Sequence, residues 1–182
     1  MVERLRPALA RFDQAEVALC LSLNRVGQQL WLRNLFRAVS RLGDGIFWYV
    51  LLIAFPLLYG LAGVWASVHM GVVALIGVGL YKYLKSRAVR ERPYITHDAI
   101  DCVSAPLDRY SFPSGHTMHA VSFILLASYY FPEWVLPLTC FGVLVALSRV
   151  ALGLHYPTDV AAGGLLGGAL ASLSLGATAA VF

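Results

Sequence analysis

Five stretches of the chain stay apolar for long enough to cross a hydrocarbon core, at about 45–64, 66–84, 115–131, 133–151 and 158–181. Their charged and imidazole groups sit near the ends, and none of them carries the polar outer face that a soluble bundle of buried helices needs. The pattern predicts an all-α, polytopic membrane helix bundle of about five transmembrane helices. Residues 1–44 break it, because Arg4, Arg6, Arg11, Arg25, Arg33, Arg37 and Arg41 interrupt every apolar run. Within that part Leu9, Phe12, Val17, Leu19, Cys20 and Leu23 recur loosely at helical spacing, which predicts an amphipathic helix lying in the interface. The chain therefore divides into an N-terminal interfacial segment, 1–44, and a membrane core, 45–182. A frayed tail is the plainer alternative for the first part. A cleavable signal peptide is not expected, since no uninterrupted apolar region follows the early positive charges.

Composition sharpens this picture only in places. At 182 residues and 59% hydrophobic, with a mean hydropathy of +0.70, the chain is too apolar for an ordinary soluble domain. Cys20, Cys102 and Cys140 are odd in number and lack ligand spacing, so neither a disulfide framework nor a zinc site is indicated. The net charge of +4 points to membrane topology and headgroups rather than to nucleic acid. With five crossings, all 14 Lys and Arg residues fall on or beside one face, while the turns near Ala66 and Pro132 carry none. Trp31, Trp48, Trp65 and Trp134 lie near predicted boundaries and read as interface anchors. Gly163-Gly164 and Gly167-Gly168 allow close helix approach, within the chain first and as a homodimer face second.

Three clusters at apolar segment ends, all on the basic face, hold the candidate chemistry. They are Lys85 with Arg92-Pro93, then Pro113-Ser114-Gly115-His116, then Ser148-Arg149 followed by His155 and Asp159. Fixed cations suit a phosphoryl group, an imidazole with a carboxylate four residues on suits a nucleophile, and a second imidazole suits a proton donor. Pro113-Ser114-Gly115 also precedes an apolar helix, whose free N-terminal N–H groups attract an anion.

Written as K-x6-R-P, P-S-G-H and S-R-x5-H-x3-D, the three clusters resemble the signatures of the type 2 phosphatidic acid phosphatase superfamily, with no signature position substituted. The resemblance implies a membrane phosphatase acting on lipid phosphates or diphosphates through a phosphohistidine. His155 would be the nucleophile, Asp159 its orienting carboxylate, and His116 the general acid and then base. Lys85, Arg92, Arg149, the Ser114 hydroxyl and the Gly115 N–H would hold the phosphoryl oxygens. No metal or other cofactor is expected, and a His116/His119 metal pair lacks an obvious third ligand. Arg90, Arg87, Lys82 and Arg109 read as membrane-edge cations, Asp98, Asp101 and Asp108 as solvated loop acids, and Asp44, His69 and His97 carry no assignment.

Undecaprenyl diphosphate is the first expected substrate, with phosphatidic acid and phosphatidylglycerol phosphate next, reached sideways from the bilayer. A non-catalytic lipid-binding or lipid-translocating protein on the same scaffold is the alternative from another class. A vanadate-dependent haloperoxidase shares the pocket but not so apolar a chain. The expected location is the inner membrane. There the positive-inside rule points the site to the cytoplasm, whereas the family resemblance points it, by a small margin, to the periplasm.

Overall fold

The computed structural model describes residues 2–106 and 108–179. Among the described residues seven helices follow in order: α1 (Val2–Val26), α2 (Leu30–Arg41), α3 (Phe47–Arg87), the single turn α4 (Pro93–Thr96), α5 (Gly115–Tyr130), α6 (Val135–Ala151) and α7 (Pro157–Ala179). A π-helical turn, Leu42–Ile46, joins α2 to α3, and a 3-10 turn, Pro132–Trp134, precedes α6. Among the described residues the only extended pairing is an isolated bridge between Glu91 and Tyr110.

The stretches expected at 45–64 and 66–84 form one helical run that doubles back inside α3. The reversal falls at Gly60, with φ 58° and ψ −131°, a backbone conformation that costs little only for glycine. The two arms touch just beyond it: a Cβ on Gly63 would lie 2.0 Å from the Phe55 carbonyl oxygen. The turn thus comes earlier than the expected position near Ala66, because unbroken apolarity marks a membrane segment but not where the backbone bends within it. Among the described residues three helical stretches are long and apolar enough to cross a membrane: Leu30–Arg87, which contains this reversal, Pro132–Ala151 and Pro157–Thr178. At 16 residues, or about 24 Å, α5 is shorter. Leu57, Leu61, Leu75, Leu165 and Leu173 are each more than 70% exposed, an outer surface suited to acyl chains rather than to water. The chain is a multi-pass membrane protein.

α5 is the central post, packed on α3, α6 and α7. It meets α7 backbone to backbone, since Cβ atoms on Gly163 and Gly167 would fall 2.4 Å from Ser114 O and 2.2 Å from Met118 O. The contact is bridged by Ser122, whose hydroxyl donates to Gly167 O at 3.1 Å. Of the four glycines named for close approach, Gly163 and Gly167 are therefore the two turned inward on α5. Aromatic rings fill the end near the Gly60 and Pro132 turns, with Tyr59 stacked on Phe131 at 3.8 Å and Trp134 Nε1 donating to the Tyr59 hydroxyl at 2.9 Å. Trp48 corrects the reading of all four tryptophans as anchors. It is buried beside Phe123, and its Nε1 donates to Gly43 O at 3.1 Å, because it lies on the inner side of the first α3 arm.

α1 and α2 lie against the site end. Cys20, Val17, Leu21 and Leu23 of α1 pack on Ile100, Val150 and Tyr156, while Phe12 and Leu19 stay exposed. Phe36 of α2 packs with Val103, Ala151, Leu152 and Leu154. The long loop after α3 folds over the same end, tied by Ser111 N–H to Arg90 O at 2.8 Å and Val103 N–H to Leu152 O at 3.2 Å.

Candidate active site

A cavity of about 450 Å3 opens where the three clusters meet. Its floor is polar, with Lys85, Arg92, Asp108, Gly115, His116, His119, Arg149 and His155, and its walls are apolar, with Trp48, Tyr49 and Leu52 from one α3 arm and Ala74, Leu75 and Val78 from the other. Lys85 ends α3, Gly115 and His116 begin α5, Arg149 sits in the last turn of α6, and His155 lies in the short link to α7. Local chemistry fixes each direction. Arg92 is extended (φ −76°, ψ 152°) because Pro93 disfavours the helical region before it and starts α4 itself.

Lys85, Arg92, Arg149 and His155 are all buried. Arg92 Nη1 donates to Leu154 O at 2.7 Å and lies 3.3 Å from His155 Nε2. A guanidinium only donates, so Nε2 presents its lone pair to the cation cluster and the ring proton belongs on Nδ1. That nitrogen has no hydrogen-bond partner among the described residues and lies 3.7 Å from Asp159 Oδ2, an ion-pair separation. Asp159 in turn accepts the Tyr156 N–H at 2.8 Å, so it also closes the first turn of α7 as a capping carboxylate. Burial first, then the charges of Arg149, Arg92 and Lys85, pushes the His155 imidazole well below its ordinary 6.5. Arg149 Nη1 bonds the Ser40 hydroxyl, while its buried Nε has no partner among the described residues. Two candidates do not line the cavity: Asp159, which sits beside His155 Nδ1, and Ser114, whose hydroxyl pairs with Thr117 Oγ1 at 3.0 Å. His119 Nδ1 bonds Gly115 O at 3.0 Å. Among the described residues no three His, Cys, Asp or Glu side chains group as metal ligands would.

Asp108, Asp44 and Arg90 were read too blandly from sequence, and Glu16 was not singled out at all. Asp108 is no free loop acid: it takes Lys85 Nζ at 2.7 and 2.8 Å and Arg92 Nη2 at 2.7 Å. Burial alone would raise its carboxyl, but the hydrogen bonds and charges of those two cations hold it below the usual value. Asp44 lines the cavity and bonds His116 Nε2. The signal for it was a lone carboxylate between Gly43 and Gly45 at the site end of an apolar segment. Arg90, read as a membrane-edge cation, reaches Asp159 Oδ1 at 2.8 Å and Glu16 Oε2 at 2.7 Å. Nothing in the local sequence pairs Glu16 with residues more than seventy positions away.

The chain is similar to known proteins in sequence and in fold. Phosphatidylglycerophosphatase B of Bacillus subtilis is 29% identical over 155 residues, covering 77% of this chain and 72% of that protein. The lipid A 1-phosphatase of Rhizobium etli is 29% identical over 108 residues, 57% of this chain and 47% of its own. Undecaprenyl-diphosphatase BcrC of Bacillus subtilis is 28% identical over 92 residues, 50% and 47% of the two chains. For most of these curated relatives the matched part is half their length or less. The crystal structure of a transmembrane PAP2-type phosphatidylglycerolphosphate phosphatase from Bacillus subtilis superposes with a TM-score of 0.77 at 25% identity, covering 94% of this chain and 88% of that one. Aquifex aeolicus LpxE gives 0.76 at 25% identity, covering 87% and 93%. The model of the family described as the PAP2 superfamily matches residues 66–180, the stretch that holds all three clusters, and the chain belongs to that family.

Proposed function

We propose that the protein is a lipid phosphatase that removes a phosphate from a membrane lipid monophosphate or diphosphate by way of a phosphohistidine on His155. The observation that carries this reading is the orientation of one ring. His155 Nε2 faces three buried cations at the polar end of an otherwise apolar cavity, and Nδ1 faces Asp159. In the first half-reaction the Nε2 lone pair forms a bond to phosphorus as the bond from phosphorus to the lipid-side oxygen breaks. His116 gives that oxygen a proton, and Lys85, Arg92, Arg149 and the Gly115 N–H balance the charge on the equatorial oxygens. The imidazole becomes cationic on phosphorylation, which strengthens its pull on Asp159. In the second half-reaction His116 takes a proton from water, whose oxygen attacks phosphorus, and the N–P bond breaks to release phosphate. Asp44 bonds His116 Nε2 and holds that ring in place beside the cavity.

The apolar walls from the two α3 arms support a substrate that enters sideways from the bilayer with its chain in the slot. Undecaprenyl diphosphate leads, followed by phosphatidic acid and phosphatidylglycerol phosphate, and the relatives add lipid A. An inner-membrane location with the cavity on the periplasmic face goes with a lipid carrier recycled there. The experiment is phosphate release by purified protein from each of these lipids, with glycerol phosphate as soluble control and a parallel series in chelator. Turnover of at least one lipid, unchanged by chelator and lost in His155→Ala by more than about a thousandfold, is the expected result. Tight lipid binding without phosphate release would instead establish the non-catalytic reading. A His155→Ala rate within tenfold of wild type would remove His155 as nucleophile.

A further inference from the structure

Three residues at helical spacing on one face of α1, Glu16, Cys20 and Asn24, are buried against the site end of the molecule. The two polar ones each grip a backbone position flanking the segment that bears His155. Asn24 Nδ2 donates to Ala151 O and to Asp101 O, both at 3.0 Å, and its Oδ1 accepts the Asp101 N–H at 3.0 Å. Glu16 Oε1 accepts the Thr158 N–H at 2.9 Å and the Thr158 hydroxyl, capping α7 from another helix. Its other oxygen takes Arg90 Nη2, while Arg90 Nη1 holds Thr158 Oγ1 at 2.7 Å and Asp159 Oδ1 at 2.8 Å. Arg90 is laid flat by the Tyr156 ring, 3.9 Å from its centre.

We propose that Glu16 and Arg90 are positioning residues that set the Asp159 carboxylate toward His155, so that the N-terminal helix is part of the catalytic apparatus of the phosphatase reading on which this inference rests. The charge arrangement gives the reason. An arginine paired with Asp159 alone would cancel its charge and draw the carboxylate away from the imidazole. Shared with Glu16, Arg90 joins a chain of two anions and one cation whose net negative charge ends on Asp159. Oδ1 is anchored to Arg90 and Oδ2 to the Tyr156 N–H, which leaves Oδ2 on the side of His155 Nδ1. Loss of the Glu16 charge leaves the fold's apolar contacts in place and releases Arg90 to neutralise Asp159.

The test is a kinetic cycle in full-length protein on a lipid phosphate that the wild type turns over, with Glu16→Gln, Asp159→Asn and the double variant. Glu16→Gln is expected to lower kcat by about ten- to a hundredfold with KM within about twofold, since the loss falls on the reacting imidazole and not on phosphate binding. In the Asp159→Asn background the same substitution should cost less than about twofold further, because its effect runs through Asp159. A purely structural role predicts equal losses in both backgrounds, and that outcome overturns the proposal, as does wild-type kcat in Glu16→Gln. Should Glu16→Gln fail to fold, Arg90→Lys replaces it in the same cycle with the same expectations, since lysine keeps the charge but cannot bridge two carboxylates in one plane. An inactive wild type, in contrast, overturns the phosphatase reading itself.

Discussion

With Asp108 bonded to both Lys85 and Arg92, two of the three site cations share one carboxylate, which offsets half of their charge before any phosphate arrives. An incoming phosphoryl group must displace that carboxylate or share its partners. Asp108→Asn is therefore expected to tighten inhibition by orthovanadate or inorganic phosphate by about tenfold or more, in line with the strength of a hydrogen bond to a charged group. A weaker inhibitor constant in the variant would show that Asp108 holds the cations in place instead. The lowered value of His155 gives a second expectation at this scale. A value below 6.5 means that falling pH leaves Nε2 unprotonated past the point where a free imidazole would be charged. The acid limb of kcat/KM should then lie below the ordinary imidazole position, and a limb at that position would mean the ring is not shielded as the structure has it. Most of these residues were legible in the sequence, because phosphate chemistry demands cations and imidazoles that an apolar segment has no other reason to contain. Asp44 and Asp108 were not, since a lone carboxylate gives no sign of the partner that folding brings to it.

Helices were legible in their apolar cores and not at their bends or polar grips. The reversal at Gly60 depends on one backbone conformation, and the docking of α1 depends on Glu16 and Asn24, polar positions on a face that an apolar count passes over. Where α5 and α7 meet, the glycine pattern did carry the answer, and it gives a paired prediction. Gly163→Ala places a methyl 2.4 Å from Ser114 O, one residue before the α5 turn that carries His116. Gly164→Ala meets nothing closer than 3.8 Å. The first should cost about 1–3 kcal/mol of stability and most of the activity, as overpacking of a tight contact does. The second should be near neutral. Thermal unfolding and turnover of the two variants measure this, and equal behaviour would mean that the close approach is not needed.

For the whole molecule, three clusters separated in sequence arrive at one end of the bundle, and the parity of the crossings makes that end common to all of them. Which face of the membrane it meets is a question of labelling. Cys102 is exposed on the loop over the site, whereas Cys20 is buried and Cys140 lies on α6. With Cys20 and Cys140 replaced, Cys102 should react with an impermeant thiol reagent in intact spheroplasts. Reaction only after permeabilisation would make the basic face cytoplasmic and the substrate an inner-leaflet lipid. The two arms of α3 are pressed together beside Gly60 and hold the cavity between them from about 12 Å further along, at Leu52. Such a shape works as a pair of tongs pivoted at the end remote from the chemistry. On the proposed reading, the girth of a lipid chain lying in the slot is set at the pivot and along the jaws, while the polar floor beneath keeps its own geometry.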